Sequence, residues 1–185
     1  MPDELVISQC SPTMAGLKTG SLFSCPAEDR RELTGSLKRL NTMLVPKGAR
    51  IIPVRIKCGR ALLYMYRPSR LSCDLKNEAA TRILEESGYP SNEAGKCLSE
   101  LVRRLGRGGV FPHEIGLFLG YPPEDVAGFI RCGSKTAKLS GPWKVYGDEK
   151  KARMMFDAYG KCTRLYREAY RRHNSFDRLV VSCHR

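Results

Sequence analysis

His113-Glu114 is the residue pair in this sequence best suited to chemistry. Pro112 favours the first turn of a helix, so the sequence predicts a short helix over 112–119 with the pair near its N-terminus. Unpaired N–H groups and the helix dipole there favour an anion and a neutral imidazole. His113 could then be a base or a metal ligand, with Glu114 as a second catalytic candidate. The alternative is structural: Glu114 complements the dipole and His113 fills a polar pocket.

Cys10 is the second candidate for a catalytic residue or a metal ligand. Lys18 follows on the same segment, and a nearby cation lowers the pKa of a thiol and makes it more reactive. If Cys10 meets His113, the two form a nucleophile and base or two ligands of a soft metal ion. We expect residues 1–25 to close a cleft in which Cys10 faces His113 and Glu114. The alternative is a buried, inert thiol.

Two groups of residues combine aromatic and basic side chains. They are Tyr64, Tyr66 and Arg67 in one, and Trp143, Lys144 and Tyr146 in the other. Such groups can stack a nucleobase, a flavin or another planar ligand while they bind its acidic groups. Together with Lys18 they are the predicted ligand-binding residues. The alternative is that the aromatic rings are core on one face of a strand and cross-strand pairs on the other.

The chain carries 32 Lys and Arg against 19 Asp and Glu, a formal charge of +13. Such a balance favours a polyanionic partner, either nucleic acid or an acidic protein. The basic residues occur as dispersed pairs rather than as a tail, so contacts to nucleic acid would be mainly to phosphates and non-specific. The alternative is a basic surface that binds no polyanion.

Eight cysteines occur without a CxxC pair or zinc-finger spacing. The acidic start Met1-Pro-Asp-Glu4 does not resemble a signal peptide, and no segment has the ~20 apolar residues of a membrane span. We therefore expect a cytoplasmic protein whose cysteines are reduced and mostly buried.

The elements that must position these residues indicate an α+β fold in a single domain over 1–185. Branched and aromatic residues predict a β-hairpin at about 51–66. A C-terminal strand at about 176–182 should join it in a small, mostly antiparallel sheet, packed by about six helices. Breaker residues predict an irregular but ordered segment at 1–25 and a flexible loop at 133–141.

Three motifs resemble a family of uncharacterised proteins from anaerobic bacteria. They are Cys10-Ser-Pro-Thr-Met-Ala-Gly-Leu-Lys18, Phe111-Pro-His-Glu-Ile-Gly-Leu-Phe-Leu-Gly-Tyr-Pro122 and Trp143-Lys-Val-Tyr-Gly-Asp148. The runs Leu63-Tyr-Met-Tyr-Arg-Pro68 and Lys161-Cys-Thr163 resemble it too. The resemblance implies a domain of unknown function without an established reaction.

Genes for iron uptake and flavodoxins often lie beside members of that family. This implies a redox- or iron-associated role, with a metal, haem or flavin as cofactor and an acidic flavodoxin as partner. Relatives often carry a cysteine before the Trp-Lys-Val-Tyr motif, where this chain has Leu139-Ser-Gly-Pro142. The resemblance therefore does not support a metal site in that loop.

Three classes of function stay open. The first is a protein that binds a metal, haem or planar cofactor through Cys10, His113 and Glu114, with or without catalysis. The second is a basic binding module for nucleic acid or an acidic partner. The third is a structural adaptor without a small-molecule site.

Overall fold

The computed structural model describes residues 1–90, 93–107 and 111–182. Over these residues the fold is α+β, with eight α-helices and five β-strands. This confirms the fold class predicted from the sequence. The contacts divide the chain into two compact units: unit 1 is Met1–Ser69 with Tyr159–Arg185, and unit 2 is Arg70–Ala158. That the two units form a single domain stays a prediction.

The elements follow one another along the chain as helices, strands and short 3-10 turns. The helices are α1 (Asp3–Met14), α2 (Arg30–Leu44), α3 (Pro68–Leu75), α4 (Glu78–Glu86), α5 (Ala94–Arg107), α6 (Ile115–Phe118), α7 (Pro123–Cys132) and α8 (Glu149–His173). The strands are β1 (Gly20–Pro26), β2 (Arg50–Lys57), β3 (Arg60–Tyr66), β4 (Leu139–Ser140) and β5 (Lys144–Val145). Short 3-10 helices lie at Val45–Lys47, Gly133–Thr136 and Asp177–Leu179.

Unit 1 contains a three-stranded antiparallel sheet in the order β1-β3-β2. The predicted hairpin at 51–66 is confirmed as β2 and β3. Cys58 and Gly59, which join these strands, have φ values of 50° and 67°, the left-handed geometry that two-residue hairpins need. The register shifts between Pro53 and Arg55, because proline cannot donate to the ladder and lies on the edge strand.

The predicted C-terminal strand at 176–182 is wrong. That region contains a 3-10 helix, and the third strand of the sheet is β1 instead. Phe176 and Val180 are the buried residues there, and their spacing is one helical turn rather than the alternation of a strand.

The irregular segment predicted at 1–25 is also wrong, because α1 and β1 occupy most of it. Pro12 lies inside α1, where a proline removes one helical hydrogen bond. The helix nevertheless forms because Val6, Ile7 and Met14 are buried in the core of unit 1. Tertiary packing here outweighs local propensity.

Unit 2 places α6, α7 and the two-stranded ladder of β4 and β5 next to one another. The short helix predicted at 112–119 forms only over α6, so His113 and Glu114 lie in the turn before it. The segment 133–141 contains a 3-10 helix and β4, and its flexibility stays a prediction. In the described ranges no helix is both long and apolar enough to cross a membrane.

Candidate functional site

A cleft of about 480 Å³ lies within unit 2. The loop before α6, the helices α6 and α7, and the segment around β5 supply its walls. The lining residues are Phe111, His113, Ile115, Gly116, Leu119, Tyr121, Asp125, Val126, Phe129, Gly141, Pro142, Trp143 and Lys144. We refer to this feature as the aromatic cleft. Its size and mixture of apolar and few polar residues are typical of a small-molecule site.

Aromatic rings pack against one another along the walls of the cleft. Tyr121 stacks on Trp143 with ring centroids 4.7 Å apart, and Phe156 meets the same indole edge-on at 4.5 Å. His113 and Phe129 form a second edge-on pair at 4.9 Å. Such pairs restrict ring motion and stabilise the walls beyond the burial of their area.

Asp125 in the first turn of α7 holds one wall in place. Its side chain is buried and accepts a hydrogen bond from Trp143 Nε1 at 2.8 Å. The other carboxylate oxygen accepts from the backbone N–H groups of Tyr146 at 2.7 Å and Gly147 at 2.8 Å. Three donors therefore compensate the desolvation of this buried carboxylate. The segment that carries Trp143 is fixed to α7 as a result.

Two glycines allow the elements around the cleft to approach closely. A Cβ atom on Gly116 would lie 2.7 Å from the side chain of Val126, so α6 could not pack on α7 in the same way. A Cβ atom on Gly128 would lie 2.4 Å from the ring of Tyr146. Both distances are far below ordinary contact, so a larger residue at either position would force a shift.

Glu114 is buried and bonded, whereas its neighbour His113 is exposed at the rim of the cleft. Glu114 accepts hydrogen bonds from the Tyr89 hydroxyl and from Arg104 Nη1, each at 3.0 Å. Burial, and next the charge of Glu114, raise the pKa of Tyr89 well above its ordinary value. Glu114 thus has a structural role, and a catalytic role for either member of the pair stays a prediction.

Cys10 is completely buried in the core of unit 1. Burial raises the pKa of its thiol well above the ordinary value, although the charge of Lys18 and a hydrogen bond with Ser21 act to lower it. The expected activation by Lys18 is therefore wrong, because desolvation outweighs the nearby cation. Burial also lowers the pKa of Lys18 to about 8, and its ammonium lies 6.0 Å from the ring centroid of Tyr159.

The convergence of Cys10 with His113 stays a prediction, since the two residues belong to different units. The predicted convergence assumed that residues 1–25 are irregular, but α1 and β1 occupy most of them. Across the described part of the chain, no three His, Cys, Asp or Glu residues are grouped so that they could hold a metal ion.

Tyr64, Tyr66 and Arg67 lie in the interior of unit 1. The two tyrosine rings stack in parallel with centroids 5.0 Å apart, and both side chains are buried. Of the second predicted group, Trp143 and Lys144 line the aromatic cleft, and the hydroxyl of Tyr146 donates to the carbonyl of Gly133. Ligand binding by either group stays a prediction.

The guanidinium of Arg67 binds four backbone carbonyls. Its Nε donates to Thr13 at 2.7 Å, and Nη2 donates to Met14 at 2.5 Å and to Val181 at 2.7 Å. Nη1 donates to Lys47 at 3.1 Å. The carbonyls of Thr13 and Met14 lie at the end of α1, and each also accepts one backbone N–H, from Gly16 and Val181 respectively. Arg67 therefore adds a second donor to both at the C-terminus of this helix.

Sequence reasoning did not find Asp125, Tyr121 or Phe129. Asp125 follows Pro122 and Pro123, a pattern in which an acidic residue usually complements the helix dipole from the surface. No feature of the sequence separates that exposed role from the buried one. Tyr121 and Phe129 become neighbours of Trp143 and His113 only through the packing of α6, α7 and β5.

The seven cysteines within the described ranges are free thiols. The buried ones are Cys10, Cys25, Cys97 and Cys162, and the exposed ones are Cys58, Cys73 and Cys132. Cys183 lies outside the described residues.

Fold and cleft define the chain as an α+β protein with an aromatic cleft in its second unit. It belongs to the family described as "Protein of unknown function (DUF3793)", which matches residues 6–180. This confirms the predicted resemblance to an uncharacterised family, whereas an origin in anaerobic bacteria stays a prediction. No curated protein and no solved structure matches the chain.

Proposed function

We propose that unit 2 binds a planar, largely apolar ligand in the aromatic cleft. The observation that supports this most directly is the cleft itself: about 480 Å³ of concave space with aromatic rings along its walls. Ligand sites of this size commonly combine aromatic walls with a few polar groups that orient the ligand. Flavin and haem have the planar shape that such walls accommodate.

Two polar side chains of the cleft lining support a ligand with a fixed orientation. His113 lies exposed at one rim, and Lys144 supplies an ammonium that also donates to Ser140 at 2.7 Å. Asp125 already accepts three hydrogen bonds, so it serves the cleft by holding Trp143. The proposal therefore assigns contact with the ligand to aromatic stacking and to these two side chains.

Trp143 offers a direct test, because it is the only tryptophan in the chain and lines the cleft. Riboflavin and haem are titrated into the purified protein while tryptophan emission is recorded, and equilibrium dialysis gives the affinity. We expect saturable quenching by at least one of these two probes. Phe129→Ala should weaken that binding about tenfold, since stacking on one aromatic ring contributes ~1–3 kcal/mol.

Leu165→Ala is the matched control, because Leu165 is an exposed apolar residue of unit 1. It should bind the probe like the parent protein. If neither probe binds, or if Phe129→Ala and Leu165→Ala weaken binding equally, the proposal is rejected.

The distribution of charge favours a second candidate, a polyanion-binding role for unit 1. Unit 1 has 18 Lys and Arg against 7 Asp and Glu, a formal charge of +11, whereas unit 2 has 14 against 12, a formal +2. Exposed basic residues lie within β2 and at the start of β3, namely Arg50, Arg55, Lys57 and Arg60. Phosphate contacts from such residues would bind nucleic acid without sequence preference.

The test of this second candidate is binding to duplex DNA at two salt concentrations. Affinity should fall more than about tenfold between roughly 50 and 200 mM salt. Replacing Arg55, Lys57 and Arg60 together by glutamine should weaken DNA binding relative to the parent protein at the same salt concentration. Sequence-selective binding that persists at high salt would contradict the expectation.

The matched control removes the same number of charges from unit 2, by replacing Arg131, Lys135 and Lys150 with glutamine. All three side chains are exposed. Equal weakening by the two triple variants would show that the net charge of the chain, rather than unit 1, carries the binding.

A further inference from the structure

A second concavity of about 420 Å³ lies next to the aromatic cleft in unit 2. Phe111 and His113 line both features, so they form a shared wall. Three arginines from the last turns of α5, Arg103, Arg104 and Arg107, also line this second feature. Its other lining residues are Ser87, Pro112, Glu114 and Ile130. We refer to it as the arginine groove.

Two of the three arginines are compensated by carboxylates. Glu100 binds Arg103 and also accepts from Arg104 Nε at 2.7 Å. Hydrogen bonds from these arginines lower the pKa of Glu100 to about 2. Arg104 also binds Glu114 at 3.0 Å, and its guanidinium lies 4.2 Å from the ring centroid of Tyr89.

Arg107 differs from the other two arginines. Its side chain is exposed, and no hydrogen bond or ion pair joins it to another residue in the described ranges. The next residues in sequence, Gly108-Gly109-Val110, carry no carboxylate. A guanidinium can donate two parallel hydrogen bonds to a phosphate or a carboxylate, which makes Arg107 the donor available to an anionic ligand group.

We propose that the ligand of the aromatic cleft carries an anionic group, a phosphate or a carboxylate, that binds Arg107 in the arginine groove. This inference rests on the proposed function of the cleft. The planar part of the ligand would lie against Trp143 and Phe129, and the anionic group would pass the shared wall of Phe111 and His113. The natural ligand class is thus a planar ring system with an acidic side chain.

Riboflavin and flavin mononucleotide are the matched probes, since they share the ring system and differ by one phosphate. Emission of Trp143 and equilibrium dialysis give both affinities at the same ionic strength. We expect the parent protein to bind the phosphorylated probe at least about tenfold more tightly, as a charge-assisted contact provides. Arg107→Gln should abolish this preference and change the affinity for riboflavin by less than about twofold.

Lys135→Gln is the control, because it removes one positive charge from an exposed side chain of unit 2 that lines neither the aromatic cleft nor the arginine groove. It should keep the preference for the phosphorylated probe. Both variants alter exposed side chains, and circular dichroism would verify that they fold like the parent.

The possible failures are distinguishable. Equal binding of both probes to the parent protein would overturn the inference and leave the proposed function intact. Retention of the preference in Arg107→Gln, or its equal loss in Arg107→Gln and Lys135→Gln, would mean that Arg107 does not bind the anionic group and would also overturn the inference. If neither flavin probe binds, the inference fails, and the haem titration decides whether the proposed function fails with it.

Discussion

Both units bury charged side chains, but the sign of the buried charge differs between them. Unit 1 buries the cation Arg67, and its partners are backbone carbonyls. Unit 2 buries the carboxylates of Glu114 and Asp125. Glu114 accepts from Tyr89 and Arg104 beside the arginine groove, and Asp125 accepts from Trp143 and two backbone N–H groups beside the aromatic cleft. Within the described residues, every buried side-chain nitrogen or oxygen has a hydrogen-bond partner.

The buried charged side chains have different structural roles in the two units. The cation of unit 1 joins segments that are distant in sequence, so its role is cohesion of the core. The carboxylates of unit 2 fix the walls of a concave surface, so their role is to preserve a shape. Surface charge differs as well, because unit 1 has a formal +11 and unit 2 a formal +2.

The largest effect should come from Arg67→Met. The change removes all four hydrogen bonds of the guanidinium. The carbonyls of Thr13 and Met14 each keep one backbone donor, and a buried group that is left unsatisfied costs about 1–3 kcal/mol. We expect the free energy of unfolding to fall by more than about 3 kcal/mol, measured by urea denaturation followed by circular dichroism. Arg55→Met, an exposed arginine of the same unit, should change it by less than about 0.5 kcal/mol. A loss below about 1 kcal/mol for Arg67→Met would remove the cohesive role assigned to the buried cation.

A slightly smaller effect is expected for Asp125→Ala in unit 2. Three donors lose their acceptor, so the free energy of unfolding should fall by about 2–3 kcal/mol. Emission of Trp143 should shift as the indole N–H loses its partner. Asp125→Asn is the matched variant: one amide oxygen can still accept from Tyr146 and Gly147, and the loss is confined to Trp143. Equal behaviour of the two variants would contradict the role given to the paired oxygens.

Close packing around the cleft predicts a moderate loss for Gly128→Ala. The new methyl group meets the ring of Tyr146, and overpacking of this kind costs about 1–3 kcal/mol. Gly160→Ala places the same methyl group in open space within α8 and should stabilise the protein by up to about 1 kcal/mol. Thermal unfolding of both variants checks the pair. Stabilisation by Gly128→Ala would show that α7 and Tyr146 are not in close contact.

The smallest effect concerns pH and Lys18 in unit 1. Its pKa is lowered from 10.5 to about 8, so between these values the unfolded chain binds the proton that the folded chain has lost. The free energy of unfolding contributed by Lys18 therefore rises with pH in this window. Cys10, whose pKa is raised above 9.0, acts in the opposite direction at higher pH.

Lys18→Met should thus stabilise the protein most at pH 7, and its advantage over the parent should shrink by about 1 kcal/mol by pH 9. Urea denaturation at pH 7, 8 and 9 provides the measurement. Lys57→Met, which alters an exposed lysine, should show no such trend. An advantage that stays constant with pH would mean that Lys18 titrates normally in the folded protein.

Local patterns predicted the β-hairpin because the residues that favour its strands and its turn all lie within one short segment. Branched and aromatic residues dominate both arms, and Cys58-Gly59 supplies the turn. The pattern of β1 was also present, since Ser21, Phe23 and Cys25 are buried at every second position. Its polar and breaker residues obscured the alternation.

Other features depend on contacts between distant residues and had no local signal. Breakers such as Pro12 argued against α1, whose stability comes from burial on the sheet of unit 1. The cleft was predicted only as separate parts, with His113 on one motif and Trp143 on another. Helix α7 connects them, because Asp125 accepts a hydrogen bond from Trp143 and Phe129 packs against His113.

The hydrogen bond from Arg67 to Val181 has a consequence for folding during synthesis. Unit 1 is discontinuous, since its two parts flank all of unit 2 in sequence. A ribosome must add 114 residues after Arg67, the last of them Val181, before the guanidinium can reach this carbonyl. Synthesis adds ~5–20 residues per second, so Arg67 lacks its hydrogen bond to Val181 for at least several seconds after Arg67 has been synthesised. Unit 2 is continuous, so we expect it to reach its native structure on the nascent chain before unit 1 does.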